Sequence, residues 1–477
     1  MKKTKFIIAL FVALTTLFIG NRAYAYTVTI QGATDGHTYE AYQIFKGDLY
    51  ESTLSNIAWG NGVNASGQAA FGDAAVKAET LTTASDGESF AKDVSQYLQN
   101  PLTFTGTTLT VSDPGYYLIK DKDSSLTGIV DKSYTSYIME VVKDVQVNTK
   151  SDTPTVIKKV QDINDSTGVS TDWQDSADYD ITDHVPFQLT ASLPTDFGKY
   201  TEYYLELKDT MSTGLTYDQN AKIFLLNGTD KTDVTSQFTV SPDGSSYKIN
   251  NLKSIPNVTD QSKIVVEYTA TLNDNAILGS LGNPNSVVLS YSNNPNYTGS
   301  GESSSKGETP KDTVIVFTYK VVVNKVDSNN NPLTGAEFTL SKKMSDGSSK
   351  NYTAVTNLEG TQFSFKGLDD GDYILTETKT PNGYNSIAPI TFTVSATHSV
   401  DSADPELTSL NGSTTDGTVT LSSSGDFSTL STNIVNKKGS LLPSTGSIGT
   451  RIFSIIGGIF TIVAVILLVT KRRVKNR

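Results

Sequence analysis

Two stretches late in the sequence carry residue types that could react with one another. In Tyr373-Ile374-Leu375-Thr376-Glu377 the residues alternate with the period of a β-strand that buries one face, and parity puts Glu377 on the face of Tyr373 and Leu375. By the same count Val321, Val323 and Lys325 share the inward face of Val321-Val322-Val323-Asn324-Lys325. An unpaired charge in an apolar core is costly, so an inward carboxylate and an inward amine call for each other. They can settle as a buried ion pair. Burial also lowers the pKa of a lysine and raises that of a glutamic acid, and a lysine made neutral in this way is a nucleophile. Set against the carboxamide of an asparagine, with the acid carrying protons, such an amine would expel ammonia and leave an amide cross-link between two strands. Fixed proximity makes one such turnover per chain feasible.

Other chemistries lack their residues. The three histidines, His37, His184 and His398, lie in separate segments with no zinc-ligand spacing. Asp327-Ser328-Asn329-Asn330-Asn331 opens like a calcium loop, but Pro332 stands where that loop needs glycine and Phe338 where it needs a carboxylate, so it reads as a polar turn. There is no phosphate-cradling glycine loop and no Ser-His-Asp set, which disfavours a surface hydrolase. The reading therefore expects no cofactor, no metal and no enzyme beyond a single self-modification.

The elements that must position these residues are strands. Val, Ile, Thr and Tyr alternate with polar residues between Gly, Asn, Asp and Pro turns, as in Tyr26-Thr27-Val28-Thr29-Ile30. We expect a mainly β chain of tandem immunoglobulin-like β-sandwich domains forming an elongated rod. The first domain, 26–149, should carry helical insertions, since Phe90, Val94 and Leu98 recur at near-helical spacing over 88–98. A middle sandwich spans 150–318 and a C-terminal one 319–438. The Gly, Ser, Asn and Pro-rich stretch 293–312 reads as a long exposed loop.

Both ends read as processing segments. Lys2, Lys3 and Lys5 precede an apolar stretch over 6–20, and Ala23-Tyr24-Ala25 offers a small-x-small cleavage site, so 1–25 is expected to be a signal peptide. Near the other end Leu442-Pro443-Ser444-Thr445-Gly446 is followed by an apolar run over 452–470 and a basic tail over 471–477. The run suits one transmembrane helix and the basic tail favours the cytoplasmic side. Removing 1–25 and 446–477 takes away ten lysines or arginines and no acid, which moves the formal charge from −12 to −22. So acidic a surface repels nucleic acid. The chain contains no cysteine although it is exported, so any covalent stiffening must use other chemistry.

The C-terminal arrangement over 439–477 resembles the cell-wall sorting signal of Gram-positive surface proteins. That resemblance implies cleavage by a sortase between Thr445 and Gly446, with Leu442 and Pro443 part of the signal. Tyr373-Ile374-Leu375-Thr376-Glu377-Thr378 with Pro381-Asn382-Gly383-Tyr384, and Val323-Asn324-Lys325-Val326-Asp327 with Gly335-Ala336-Glu337-Phe338, are similar to the E-box and domain opening of sortase-assembled backbone pilins. The resemblance implies sandwiches of the CNA type and an intramolecular isopeptide bond from Lys325, assisted by Glu377, to Asn436 or, on the opposite strand face, Asn433. Pro154-Thr155-Val156-Ile157-Lys158-Lys159-Val160 resembles the start of the central pilin domain. It implies a second bond from Lys158, or its neighbour Lys159, with Asp209 as proton shuttle and Asn285 or Asn293 as acceptor. Pilins of this family also need a lysine that captures the next subunit's threonyl carboxyl. Val147-Asn148-Thr149-Lys150-Ser151 occupies the usual place without the family's Tyr-Pro, which makes Lys150 the candidate and leaves Lys143 close by. The implied function is that of the major structural subunit of a covalent pilus. The implied partners are pilin-specific and housekeeping sortases, other copies of the chain, ancillary pilins and host-surface ligands. The alternative is a monomeric sortase-anchored adhesin.

Overall fold

The computed structural model describes residues 25–32, 36–51, 53–142, 145–149, 151–414, 419–439, 455–457, 459–466 and 471. The chain is mainly β, as the alternating pattern leads one to expect. In the N-terminal part the strand Tyr26–Gln31 lies between Thr108–Val111, antiparallel, and Val145–Asn148, parallel. A five-stranded sheet centres on Thr38–Tyr50, which pairs with Thr53–Trp59, Leu102–Thr105 and Gly115–Asp121, the last also pairing with Ile138–Val142. Three helices, Ala65–Phe71, Ala74–Glu79 and Ala84–Val94, follow the second of these strands. Each begins where a side chain accepts from the otherwise unpaired backbone N–H groups of the first turn: Asn64, Asp73 and Thr83. The helix read over 88–98 thus starts earlier, at Ala84, because Thr83 and Asp86 form a reciprocal capping box, and past Val94 it tightens into the 3-10 turn Ser95–Tyr97. Its Phe90, Ala91 and Val94 pack on Tyr42, Ile44 and Phe45 of the sheet.

Residues 155–317 form two facing sheets. One runs Asp230–Asp233, Lys222–Asn227, Lys263–Leu272, His184–Ser192, Thr155–Val160, with Leu215–Tyr217 also on Lys263–Leu272. The other centres on Asn283–Ser292, paired with Leu205–Met211, Asp312–Phe317 and Lys306–Glu308. Between them Phe187, Leu189, Leu205, Leu207, Val266, Val287 and Leu289 are fully buried. Residues 319–435 form two five-stranded sheets. The first strand of this part, Tyr319–Val326, runs parallel to the last, Thr429–Val435, with Lys325 opposite Ile434. Gly371–Lys379 lies in the facing sheet beside Glu337–Lys343 and Ile390–His398.

The stretch 293–312 is not the exposed loop that its composition suggests. Lys306–Glu308 adds a strand to Asn283–Ser292, and Asn293, Ser304 and Thr309 are buried. Its polar groups are used at the junction with the N-terminal part. Tyr134 N donates to the Asn293 carbonyl at 2.7 Å, Asp131 N to that of Glu308 at 2.7 Å, and Asn296 Nδ2 to that of Thr135 at 2.9 Å. Low hydrophobicity here reflects a hydrogen-bonded joint, in which buried polar groups find partners. At the C-terminal end, residues 455–457 and 459–466 are helical. No helix among the described residues is long and apolar enough to cross a membrane. Much of the expected span 452–470 lies outside the described residues.

Candidate cross-linking sites

In the middle sandwich the strand Thr155–Val160 alternates exposed and buried residues, so its second lysine step separates Lys158 from Lys159. Lys158 is fully buried, whereas Lys159 faces the other way and pairs with Asp175 at 2.6 Å. Across the core, Asp209 and Asn285 come from neighbouring antiparallel strands, Asp209 opposite Val287 and Met211 opposite Asn285. Both are buried. Lys158 Nζ lies 2.6 Å from Asn285 Oδ1 and 3.0 Å from the Tyr268 hydroxyl, and it donates to Asp209 Oδ1. Tyr268 donates to Asp209 Oδ2, and Asn285 Nδ2 donates to the Tyr268 oxygen at 2.8 Å. The four polar side chains thus close a ring inside an apolar shell that includes Phe187, over whose ring the Lys158 ammonium sits 5.4 Å from the centroid. Burial pulls the Lys158 amine down from its ordinary 10.5 to about 8, against the upward pull of Asp209. Tyr268 is held well above the usual phenol range by burial and by Asp209, so it stays protonated and donates.

Tyr268 has no counterpart in the sequence reading. Its signal is weak, since a tyrosine on the inward face of an apolar strand ordinarily reads as core, and only its hydroxyl among charged residues marks it out. Asn293, the other acceptor considered, lies instead at the N-terminal joint, where Ser305 donates to its Oδ1 at 2.5 Å.

In the C-terminal sandwich Lys325 is fully buried, and its Nζ donates to the carbonyls of Ile434, at 2.8 Å, and Val326, at 3.3 Å. Burial lowers its amine to about 8, with Glu377 pulling upward. Asn436, one residue beyond the last strand, is buried, and its Nδ2 donates to both oxygens of Glu377 at 2.9 and 3.1 Å. Its Oδ1 has no hydrogen-bond partner among the described residues. Glu377 is only partly buried, near a register shift between Glu337 and Phe338 on the neighbouring strand. Asn433 is exposed and accepts from Asn324 Nδ2 at 3.1 Å on the outer face. The two sites differ in one respect: the middle amine touches the amide oxygen directly, whereas the C-terminal amine is held by the carbonyls of Ile434 and Val326 and the C-terminal amide by Glu377.

Lys150, Lys143, Leu442, Pro443, Thr445 and Gly446 lie outside the described residues. The residues leading to Lys150 are held in place. Val145–Asn148 pairs with Tyr26–Gln31, and Thr149 donates from N and Oγ1 to the carbonyls of Gln31 and Gly32 at 2.9 and 3.1 Å.

Comparison with known proteins follows this geometry along the chain. Residues 181–295 match the Gram-positive pilin backbone subunit 2, Cna-B-like domain; residues 319–406 match a prealbumin-like fold domain; and residues 434–476 match the LPXTG cell wall anchor motif. A Gram-positive pilin backbone domain followed by an LPXTG cell wall anchor motif supports a sortase-assembled major pilin. This pilin is 28% identical over 389 residues, covering 68% of its own length and 70% of the relative's, to the trypsin-resistant surface T6 protein of Streptococcus pyogenes serotype M6. Its fold is similar to that of the three-domain T6 backbone pilin of S. pyogenes, with a TM-score of 0.56 at 18% identity, covering 87% of this chain and 98% of that one. It is also similar in fold to the full-length major pilin SpaD of Corynebacterium diphtheriae, with a TM-score of 0.50 at 17% identity, covering 88% and 98%. The pilin is a structural subunit of a cell wall-anchored surface pilus, a substrate for sortase rather than a catalyst of metabolism.

Proposed function

We propose that this pilin closes two of its sandwiches by autocatalytic amide bonds, Lys158 to Asn285 and Lys325 to Asn436, and joins its neighbours in the fibre through Thr445 and Lys150. The three units would be bounded near 149/150 and 318/319. The observation that carries the reading is the Lys158 amine, lowered toward neutrality and 2.6 Å from the amide of Asn285 in a fully buried site. In the reaction the neutral Nζ attacks Cγ of the asparagine. Asp209, entering as the acid, protonates the amide nitrogen as the Cγ–Nδ2 bond breaks, and it regains a proton from the attacking nitrogen. Ammonia leaves and the lysine carries a neutral amide. Tyr268 hydrogen-bonds both the acid and the acceptor amide, and so orients them. In the C-terminal site Glu377 takes the part of Asp209. In its acid form it would donate to the otherwise unpaired Oδ1 of Asn436 and polarise the carbonyl for attack. Assembly would use one sortase that builds the shaft and a housekeeping sortase that anchors it, with ancillary pilins and host-surface ligands as further partners.

Intact mass tests the reading. The mature chain 26–445 should weigh two ammonias less than its sequence, Asp209→Ala and Glu377→Ala should each restore one, and Tyr268→Phe should lose its ammonia more slowly than wild type. Full sequence mass in the folded wild type would overturn it.

A pH dependence follows for the unlinked form. In Asn285→Ala the bond to Lys158 cannot form, and the amine keeps a folded pKa of about 8 against 10.5 unfolded. Below pH 8 both states hold the proton and stability is level with respect to this group. Between 8 and 10.5 the unfolded state binds more protons, so stability rises with pH, by on the order of 3 kcal/mol in all. Wild type, whose lysine is an amide, should lack that rise. Chemical denaturation at pH 7.5 and pH 10, read as the difference between variant and wild type, checks this; parallel behaviour of the two would contradict it.

A further inference from the structure

At the joint between the middle and C-terminal sandwiches, three side chains from distant parts of the sequence converge. Asp162 follows the strand Thr155–Val160, Asp178 ends Ser176–Asp178, and His398 ends Ile390–His398. One oxygen of each carboxylate and a ring nitrogen of His398 all lie within 4.8 Å of one another. His398 Nε2 is 3.6 Å from Asp162 Oδ2, and the Asp178 backbone N–H donates to that same oxygen at 3.4 Å.

The other ring nitrogen fixes the orientation of the ring. His398 Nδ1 is 2.7 Å from Ser176 Oγ, and that hydroxyl uses its single proton on the Ser399 carbonyl at 2.5 Å. The serine oxygen is then free to accept from Nδ1–H, which leaves Nε2 directed toward Asp162. At 3.6 Å, Nε2 and Asp162 Oδ2 are spaced to share a bound cation as readily as to form an ion pair. A hydrogen-bonded ring nitrogen opposite a free one is also the usual orientation of a metal-bound histidine.

A second observation is independent of the ring. Asp178 is 1% exposed; the Tyr319 hydroxyl lies near its carboxyl, but Oδ2 makes no hydrogen bond of good geometry among the described residues. The closest lysine, Lys342, is already engaged by Asp369, Asp180 and Asp165. The joint therefore gathers carboxylates beyond the cations on hand. The Asp162 and His398 side chains keep 13% and 10% of their surface, which leaves a way in from solvent.

We propose that this joint binds one divalent transition-metal ion, of which Zn2+ is the probe of choice, through Nε2 of His398 and the carboxylates of Asp162 and Asp178. Imidazole with two carboxylates suits zinc, whereas calcium and magnesium favour oxygen-only sets. Asp162 and Asp178 belong to the middle sandwich and His398 to the C-terminal one, so the ion would tie adjacent links of the rod together.

The test uses the mature chain 26–445, stripped with EDTA and titrated with ZnCl2, with CaCl2 in parallel. One Zn2+ per chain is expected, with a rise in melting temperature that CaCl2 does not reproduce. His398→Gln and Asp162→Asn should weaken zinc binding about tenfold or more, and Ser176→Ala, which leaves all three ligands in place, about tenfold through the lost ring orientation. Melting of the metal-free variants beside metal-free wild type shows that they fold. Absence of stoichiometric zinc, or an affinity unchanged by His398→Gln in a folded protein, would overturn the proposal and leave His398 and Asp162 a plain ion pair.

Discussion

Replacing Lys158 by alanine should melt the middle sandwich about 10–20 °C below wild type. The residues to be joined are 127 positions apart in sequence. Cross-linking a loop of about 100 residues removes chain entropy worth about 4.7 kcal/mol, on the same argument that applies to disulfides. Domains of this size are stable by about 5–15 kcal/mol, so one bond accounts for a third of the total or more. Removing the amine also strands Asp209, fully buried, with Tyr268 as its remaining side-chain partner, and an uncompensated buried carboxylate adds to the loss. The relevant comparison is Asn285→Ala, which lacks the bond but keeps the Lys158–Asp209 pair. Both variants should melt far below wild type, and both should become open to trypsin within 155–317. A drop of only two or three degrees in Asn285→Ala would mean that no bond was lost.

Lys150→Ala should abolish the high-mass ladder expected on denaturing gels of cell-wall extracts from the producing bacterium, leaving monomer. In the proposed junction sortase joins the threonyl carboxyl released at Thr445 to an amine, and an amine that receives it must be reachable. Lys150 follows a strand anchored along one neighbour, Val145–Asn148 on Tyr26–Gln31, with Thr149 donating to the carbonyls of Gln31 and Gly32. A fixed stem before Lys150 would present one amine in one place. Lys143→Ala, by contrast, should leave the ladder unchanged. A ladder that survives Lys150→Ala and is lost with Lys143→Ala would move the acceptor to that residue, and one that survives both would remove the proposed junction.

Much of the chemistry was legible from strand parity, because a two-residue period tells which face a side chain takes before any partner is known. Parity separates Lys158 from Lys159 and puts Asp209 inward, and the burial of these residues in the structure follows it. It also puts Lys325 inward, where the first and last strands of its sandwich lie side by side. What parity cannot give is contact across the gap between sheets. Tyr268 escaped notice for that reason: its hydroxyl gains meaning only from Asp209 and Asn285 on the facing sheet. Joints between units were equally hidden. The polar stretch 293–312 resembles an exposed loop because its partners, Asp131, Tyr134 and Thr135, are more than a hundred and fifty residues earlier. His398 looked isolated for the same reason, since Asp162 and Asp178 reach it only once two sandwiches are stacked. The helix 84–94 was misplaced by apolar spacing alone, whereas Thr83 and Asp86 set where it starts.

The central claim is that a buried amine and a buried carboxamide are joined in each of the two sandwiches. Proteolysis of the denatured mature chain followed by fragment mass spectrometry tests it most directly. The account predicts branched peptides, one joining the segment around Lys158 to that around Asn285 and one joining Lys325 to Asn436, each lighter by one ammonia than its two parts. Recovery of these segments as separate linear peptides at full mass would contradict it.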